Sequence, residues 1–366
     1  MRRIDPQHIE RVAVRGVNWV GDAVMSVAAL RDLRHLLPRA RITLVTRPWA
    51  EGIFAGADFI DDLLILEDGG SSLSSFFKQV RAWRAGRFDL AVLLPNSPEP
   101  ALVAWAARVP FRVGYGTQRR GGLLTHPLLL PAWREERHEV FYYRQIIAGL
   151  ESSLKGTTQA AVNEPDYRLH VSRERRDAAL KLLQARGAGD VAARPLVALC
   201  PGSTNSRAKR WPAERFAALA DGLIAEAGAN VLLIGAREEL EVSREVVSRM
   251  RRAPVVLTGE TSLAETVALL SVADLLVTND TGPAHIASAL DRPVLAIFGP
   301  TNPLTTRPFS HASDIIRRPP GCAPCMLRDC PIDHRCMTEI TTEEVFARSR
   351  QLLAARTPSP HAGVAR

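Results

Sequence analysis

Three segments of the 366-residue chain carry residue types whose spacing could do chemistry together. In the first, Gly16-Val17-Asn18-Trp19-Val20-Gly21-Asp22, a carboxylate follows a turn bounded by two glycines. The Gly-x4-Gly spacing is that of a phosphate loop. An acid stands where such a loop needs lysine, however, and a carboxylate there repels phosphate. Two readings of Asp22 stay open: a cap at a helix start, or a general base held at a strand end with little backbone crowding. No G-x-G-x-x-G run occurs in the chain, which argues against a nicotinamide-dependent dehydrogenase.

In the second segment, Cys200 to Pro212, the hydroxyl residues Ser203 and Thr204 run into Arg207, Lys209 and Arg210 just before a proline at a helix start. This is either an anion site or a solvated basic turn. Only four of the 47 basic residues are lysines (Lys78, Lys155, Lys181 and Lys209), so Lys209 stands out. The third segment, Asn279-Asp280-Thr281-Gly282-Pro283-Ala284-His285, ends a strand-like run and opens a helical one. Backbone N–H groups at such a start bind diphosphate without metal. Thr281 and Gly282 permit close approach, Asp280 suits the hydroxyls of a sugar, and His285 is either a contact or a core histidine. Glu238 and Glu239 stand where nucleotide-binding sheets place an acid against ribose hydroxyls. A diphosphate site, a cation and a ribose acid in one half, with a carboxylate in the other, make a layout for moving a sugar from a nucleoside diphosphate to a hydroxyl. The chain has no Asp-x-Asp pair to hold a divalent ion, so charge stabilisation by a helix dipole and Lys209, with no metal cofactor, is the expectation.

The elements that must position these loops alternate in type. Strand-like runs at Arg11–Arg15, Arg41–Thr46, 61–66 and 89–94 are interleaved with helical periodicity at 22–37, 72–85, 98–108 and 135–150. The second half repeats the pattern, with strands at Leu196–Cys200, 230–235, 255–258, Leu275–Asn279 and Val294–Phe298. Its helices fall at 212–227, 238–250, 262–271 and 281–290. Alternation with short connections predicts an α/β fold of parallel sheets covered on both faces. It is read as two Rossmann-like domains facing each other across a cleft, 1–170 and 171–356. The polar stretch 152–166 joins them, and 357–366 is expected to be a disordered tail. Ligands of such sheets bind beyond the carboxyl ends of the strands.

Composition excludes other classes. With 46% hydrophobic and 23% charged residues the chain is globular rather than disordered. No apolar run approaches the roughly 18–20 residues that span a bilayer. The N-terminus lacks the apolar core of a signal peptide, so a cytoplasmic protein is expected. A formal charge of +8 suits an anionic partner, a nucleotide or an acidic lipid surface. Nucleic acid is not expected, because no arginine/aromatic binding motif is present. Four of the five cysteines cluster as Cys322-x2-Cys325-x4-Cys330-x5-Cys336, with His334 among them. The number suits a structural zinc ion but the spacing is not that of a standard knuckle, so a metal site and reduced thiols packed in a surface loop both remain open. Cys200, at a strand end, is expected to be buried.

The runs VNWVGDAVMS, AKRWPAERFA, NDTGPAHIASAL and FGPTNP resemble, in order, those of the lipopolysaccharide heptosyltransferases of glycosyltransferase family nine, with motif forms closer to the type II branch than to type I. The resemblance runs from about residue 11 to 350. It implies a GT-B fold, an ADP-heptose donor, a heptosylated Kdo–lipid A acceptor at the inner membrane surface, inversion at the anomeric carbon and no metal. It maps the base onto Asp22, phosphate contacts onto Lys209, Ser203 and Thr204, the ribose acid onto Glu239, and further donor contacts onto Asp280, Thr281, Gly282 and His285. The first domain would then bind acceptor and the second the nucleotide sugar. A different sugar donor, a 2-epimerase of the same architecture and a non-catalytic sugar-binding protein are the rival readings. An epimerase needs no acceptor, and a binding protein releases no ADP.

Overall fold

Strands covered by helices on both faces must be largely apolar, and the runs that form the sheet centres are so, with polar residues mainly at their ends. In the computed structural model, which describes residues 8–66, 73–156, 158, 163–191 and 193–355, the first unit (Met1–Arg168) contains β1 (Arg11–Arg15), β2 (Arg41–Thr46), β3 (Asp62–Ile65), β4 (Leu90–Leu93), β5 (Phe111–Tyr115) and β6 (His126–Leu128). These pair in the order β3-β2-β1-β4-β5-β6, every pair parallel. The second unit (Leu169–Arg366) contains β7 (Leu196–Cys200), β8 (Asn230–Leu233), β9 (Val255–Val256), β10 (Leu275–Asn279), β11 (Val294–Phe298) and β12 (Ser313–Arg317). Their order is β12-β11-β10-β7-β8-β9, again all parallel. Counted within its unit, each sheet runs 3-2-1-4-5-6, the doubly wound Rossmann order. Strand order therefore reverses between β1 and β4 in one unit and between β7 and β10 in the other. Those are the crevices in which ligands of open sheets bind.

Burial fixes both sheets. β4, β7, β8, β10 and β11 are buried at every residue. In the first unit Trp83 and Phe88 meet edge to face at 5.8 Å within a core that includes Ala13, Ala91 and Leu93. In the second, Trp211 and Phe216 meet likewise at 5.0 Å over Val197, Leu199 and Val277. The helix Glu139–Lys155 packs on Val27–Leu36, and its buried Arg144 donates to Asp32 at 2.6 Å, which sets the rotation of the helix over the sheet.

Several expected bounds shift. The single helix expected over 22–37 is two, Val20–Met25 and Val27–Leu36, because the Ser26 hydroxyl bonds back to the Ala23 carbonyl at 2.8 Å and interrupts the ladder. The expected polar connection starting at 152 is helical as far as Lys155, where Gly156 at φ +75° ends the helix in the left-handed region. β5, β6 and β12 and the helices Arg173–Ala185 and Thr342–Ala354 were not read from the sequence. β6 is three residues long with a proline, and β12 is a sheet edge with polar residues. The tail 357–366 lies outside the described residues.

Candidate functional site

In the first unit β1 delivers the chain to Gly16 at the switch point. Beneath this loop the buried Arg15 guanidinium donates to the Gly16 carbonyl and to Asn18 Oδ1 at 3.2 Å. Burial pulls the Arg15 pKa down to about 10, so it remains a cation at neutral pH. A helix begins at Val20 with Trp19 at the cap position, which places Asp22 in the first turn rather than at the cap. The Tyr143 hydroxyl donates to Asp22 Oδ1 at 3.0 Å. One turn before Tyr143, Glu139 has a carboxyl pushed up to about 7, first by burial and then by the nearby charges of Asp22 and Glu135, against the pull of Arg134. The neighbouring β4 loop is fixed by Arg120, whose buried guanidinium donates to the carbonyls of Pro95, Ser97 and Tyr115. Asn96, in that loop, donates to the Tyr142 hydroxyl at 2.6 Å. Sequence reasoning missed Tyr143, Glu139 and Asn96, which lie more than 70 residues from the Asp22 loop and carry no local motif.

In the second unit the loops after β7 and β10 are tied together at the switch point by the Asn279 side chain. The fully buried Asn279 donates to the carbonyls of Pro201 (2.8 Å) and Gly202 (3.1 Å) and accepts from the Trp211 backbone N–H (3.0 Å). Trp211 is locked in the core, its indole N–H donating to Ile340 O at 2.9 Å, so the chain two residues earlier is held at the rim. There the Lys209 ammonium donates to Asp280 Oδ2 at 2.8 Å and to the Asp280 carbonyl at 3.2 Å. Asp280, 5% exposed, also accepts from the Thr301 hydroxyl at 2.8 Å, while the Lys209 side chain stays 26% exposed. An ammonium has three donors. Two face Asp280, and the third is available to an anion at the rim. Thr301 lies in the FGPTNP run but had been given no role.

Beside this pair Thr281 stands at the N-cap position of the helix Gly282–Ala289 with its hydroxyl turned to the Asn279 carbonyl at 3.2 Å, and the positive end of the helix opens at the carboxyl edge of β10. His285 lies buried on that helix. Burial first, and then Lys209, push its pKa down to about 4 against the pull of Asp280, so its imidazole is neutral at pH 7. Ser203 is buried, and its carbonyl accepts from Arg210 at 3.0 and 3.3 Å. Of the two candidate acids, Glu238 is exposed and Glu239 buried. Glu239 accepts from the Ala236 N–H at 2.8 Å and the Thr204 hydroxyl at 3.2 Å, and burial raises its pKa. Glycine is required beside it, since a Cβ on Gly202 would lie 2.5 Å from Glu239 Oε1 and one on Gly235 2.8 Å from Oε2. Ser203, Thr204, Lys209, Glu239, Asp280, Thr281, Gly282 and His285 therefore share one edge of one sheet.

The cysteines are all free thiols. Among the described residues no group of three or more His, Cys, Asp or Glu side chains is arranged to hold a metal ion. Burial, reinforced by Cys330, Cys325 and Cys322, pushes the Cys336 thiol up to about 11, which keeps it protonated. Cys200 is buried at the end of β7. No described helix is long and apolar enough to cross a membrane.

The model of the family described as glycosyltransferase family 9 (heptosyltransferase) matches residues 76–335. Lipopolysaccharide heptosyltransferase 2 of Salmonella typhimurium is 30% identical over 94% of this chain and 99% of its own length. Among solved structures, the ADP-heptose LPS heptosyltransferase II of Escherichia coli superposes with a TM-score of 0.80 at 28% identity, covering 94% of this chain and 98% of that one. A family 9 glycosyl transferase from Veillonella parvula superposes with a TM-score of 0.83 at 25% identity, covering 97% and 99%.

Proposed function

The chain belongs to glycosyltransferase family 9, the heptosyltransferases, and from that premise we propose that it transfers heptose from ADP-L-glycero-D-manno-heptose to the heptosyl-Kdo-lipid A inner core of lipopolysaccharide, inverting the anomeric carbon. The observation that carries the reading is the Lys209–Asp280–Thr301 arrangement at the switch point of the second unit, beside the helix start at Gly282. As the bond from the sugar to ADP breaks, negative charge builds on the leaving diphosphate. The third Lys209 N–H and the helix N-terminus meet that charge without a metal. Glu239, already held by Thr204 and Ala236, offers its remaining lone pairs to the ribose hydroxyls. Ser203, Thr204, Thr281 and His285 line the rest of the donor pocket.

The acceptor hydroxyl must lose its proton as the new bond forms on the face opposite ADP. Asp22, oriented by Tyr143, is the base assigned to that step, with the first unit as the acceptor-binding domain and the second as the donor-binding domain. A lipid acceptor places the enzyme at the cytoplasmic leaflet of the inner membrane as a peripheral protein, where the excess of 47 basic over 39 acidic residues favours an anionic surface. The test is purified protein with ADP-heptose and a heptosyl-Kdo-lipid A acceptor. ADP release matched by acceptor molecules one heptose heavier is expected. ADP-heptose left intact, or consumed with no gain of mass on the acceptor, overturns the reading.

A further inference from the structure

The cysteine-rich segment has no part in the chemistry above, yet it is bonded to the loop that carries Lys209. We propose that residues 326–334 are a positioning clamp for the donor loop, with His334 as its principal positioning residue. The proposal rests on the reading of Lys209 as the diphosphate contact and adds the device that holds it there. The buried Ala208, immediately before Lys209, has both backbone polar groups held by this segment. Its N–H donates to Arg328 O at 2.9 Å, and its carbonyl accepts from His334 Nε2–H at 2.7 Å. Two residues earlier, the buried Ser206 hydroxyl lies 3.3 Å from Leu327 O and 3.2 Å from Arg328 O.

The clamp also reaches the other side of the ion pair. Met326 N–H donates to Pro300 O at 2.9 Å, next to Thr301, whose hydroxyl bonds Asp280. Just past its C-terminal end the chain is seated in the core, with Met337 fully buried and Cys336 nearly so, packed so closely under Gly299 that a Cβ there would lie 2.4 Å from Met337 Sδ and 3.1 Å from Cys336 Sγ. One short segment thus joins the loops that bring Lys209 and Thr301 to Asp280. His334 itself sits at φ +57°, ψ 25°, a left-handed conformation that costs a side-chain-bearing residue free energy and that glycine or asparagine adopts more readily. Backbone conformation alone favours glycine here. The imidazole is the group that needs histidine, and among the described residues its one hydrogen bond goes to the Ala208 carbonyl.

The test separates holding the fold from holding the donor loop by measuring ADP affinity and thermal stability together. His334→Gly relieves the backbone and deletes the hydrogen bond. It is expected to melt close to the wild-type temperature, the relieved backbone offsetting the lost bond, while binding ADP about tenfold more weakly by calorimetry because the loop is no longer held in its binding geometry. The KM for ADP-heptose is expected to rise by a similar factor, with the acceptor KM unchanged. His334→Gln, whose amide nitrogen extends to about where Nε2 stands, is expected to recover most of the affinity, and Ser206→Ala to lose it in the same direction as His334→Gly. Wild-type ADP affinity in His334→Gly overturns the clamp, as does a loss of affinity that only accompanies a loss of stability. If wild-type protein itself does not bind ADP, the donor-site reading falls and the clamp with it. If wild-type binds and the variants bind equally, the clamp alone falls.

Discussion

Lys209→Ala removes the cation from a pair in which one partner is nearly sealed from water. Asp280 is 5% exposed and takes hydrogen bonds from Lys209 at 2.8 Å and Thr301 at 2.8 Å, so the variant leaves a carboxylate with only the hydroxyl bond of those two, at the rim where a diphosphate is to sit. Two penalties therefore act on the donor. The phosphate loses an electrostatic partner, worth roughly 2–4 kcal/mol in the transition state, and it gains a neighbouring uncompensated anion. The expected loss in kcat/KM for ADP-heptose is about 10²–10³-fold. Adding Asp280→Asn to the lysine variant removes that anion while keeping the shape. The double variant should accordingly recover activity relative to Lys209→Ala, with a coupling energy of about 1–3 kcal/mol. The assay is the initial rate of ADP release at donor concentrations well below KM and saturating acceptor, with thermal melts run alongside. A Lys209→Ala rate within fivefold of wild type, or strict additivity of the two substitutions, would refute the electrostatic role and leave a solvated basic turn.

Asp22→Asn keeps size and polarity but removes the proposed base. Turnover should fall by on the order of 10²–10⁴ with stability and ADP affinity near normal, and early melting with the rate intact would move the base elsewhere. Glu139 keeps its proton up to about pH 7 when folded but ionises near its ordinary value when unfolded, so between those limits the folded state binds more protons and its stability falls as pH rises. Glu139→Gln should remove that slope, gaining at most roughly 3 kcal/mol over wild type by pH 8 and nothing at pH 4. Urea midpoints at both pH values check it, and a pH-independent difference contradicts it. Gly202→Ala drives a Cβ to within 2.5 Å of Glu239 Oε1, so the acid must move. ADP affinity should drop about tenfold or more, and crystallographic or calorimetric evidence of unchanged binding would separate Glu239 from the ribose.

The sheet centres were legible because parallel strands buried on both faces leave short runs rich in apolar, β-branched residues. The observed bounds of β1, β2, β7, β10 and β11 coincide residue for residue with the strand-like runs of the sequence. Edges were not legible, since β6 is three residues around Pro127 and β12 mixes Ser313 and Asp314 into its pattern. The proposed donor loops announced themselves through local chemistry, a rare lysine and a glycine at a helix start. What they lean on did not, because Asn279, Thr301 and His334 act at sequence separations of 21 to 126 residues. A single sequence carries no trace of which distant carbonyl an amide or imidazole will meet.

Asn279 has one more consequence, for how this scaffold changes over time. Its planar amide donates at one end to Pro201 and Gly202 and accepts at the other from Trp211. Aspartate at that position could not donate, leucine could do neither, and glutamine would push the two loops apart by the length of a methylene. The floor under Lys209 and Gly202 is thus close to an all-or-nothing invention. New donor preferences on this architecture must arise in the side chains around its rim, at positions such as Thr204, Arg207 and Thr281, where substitutions leave that amide undisturbed.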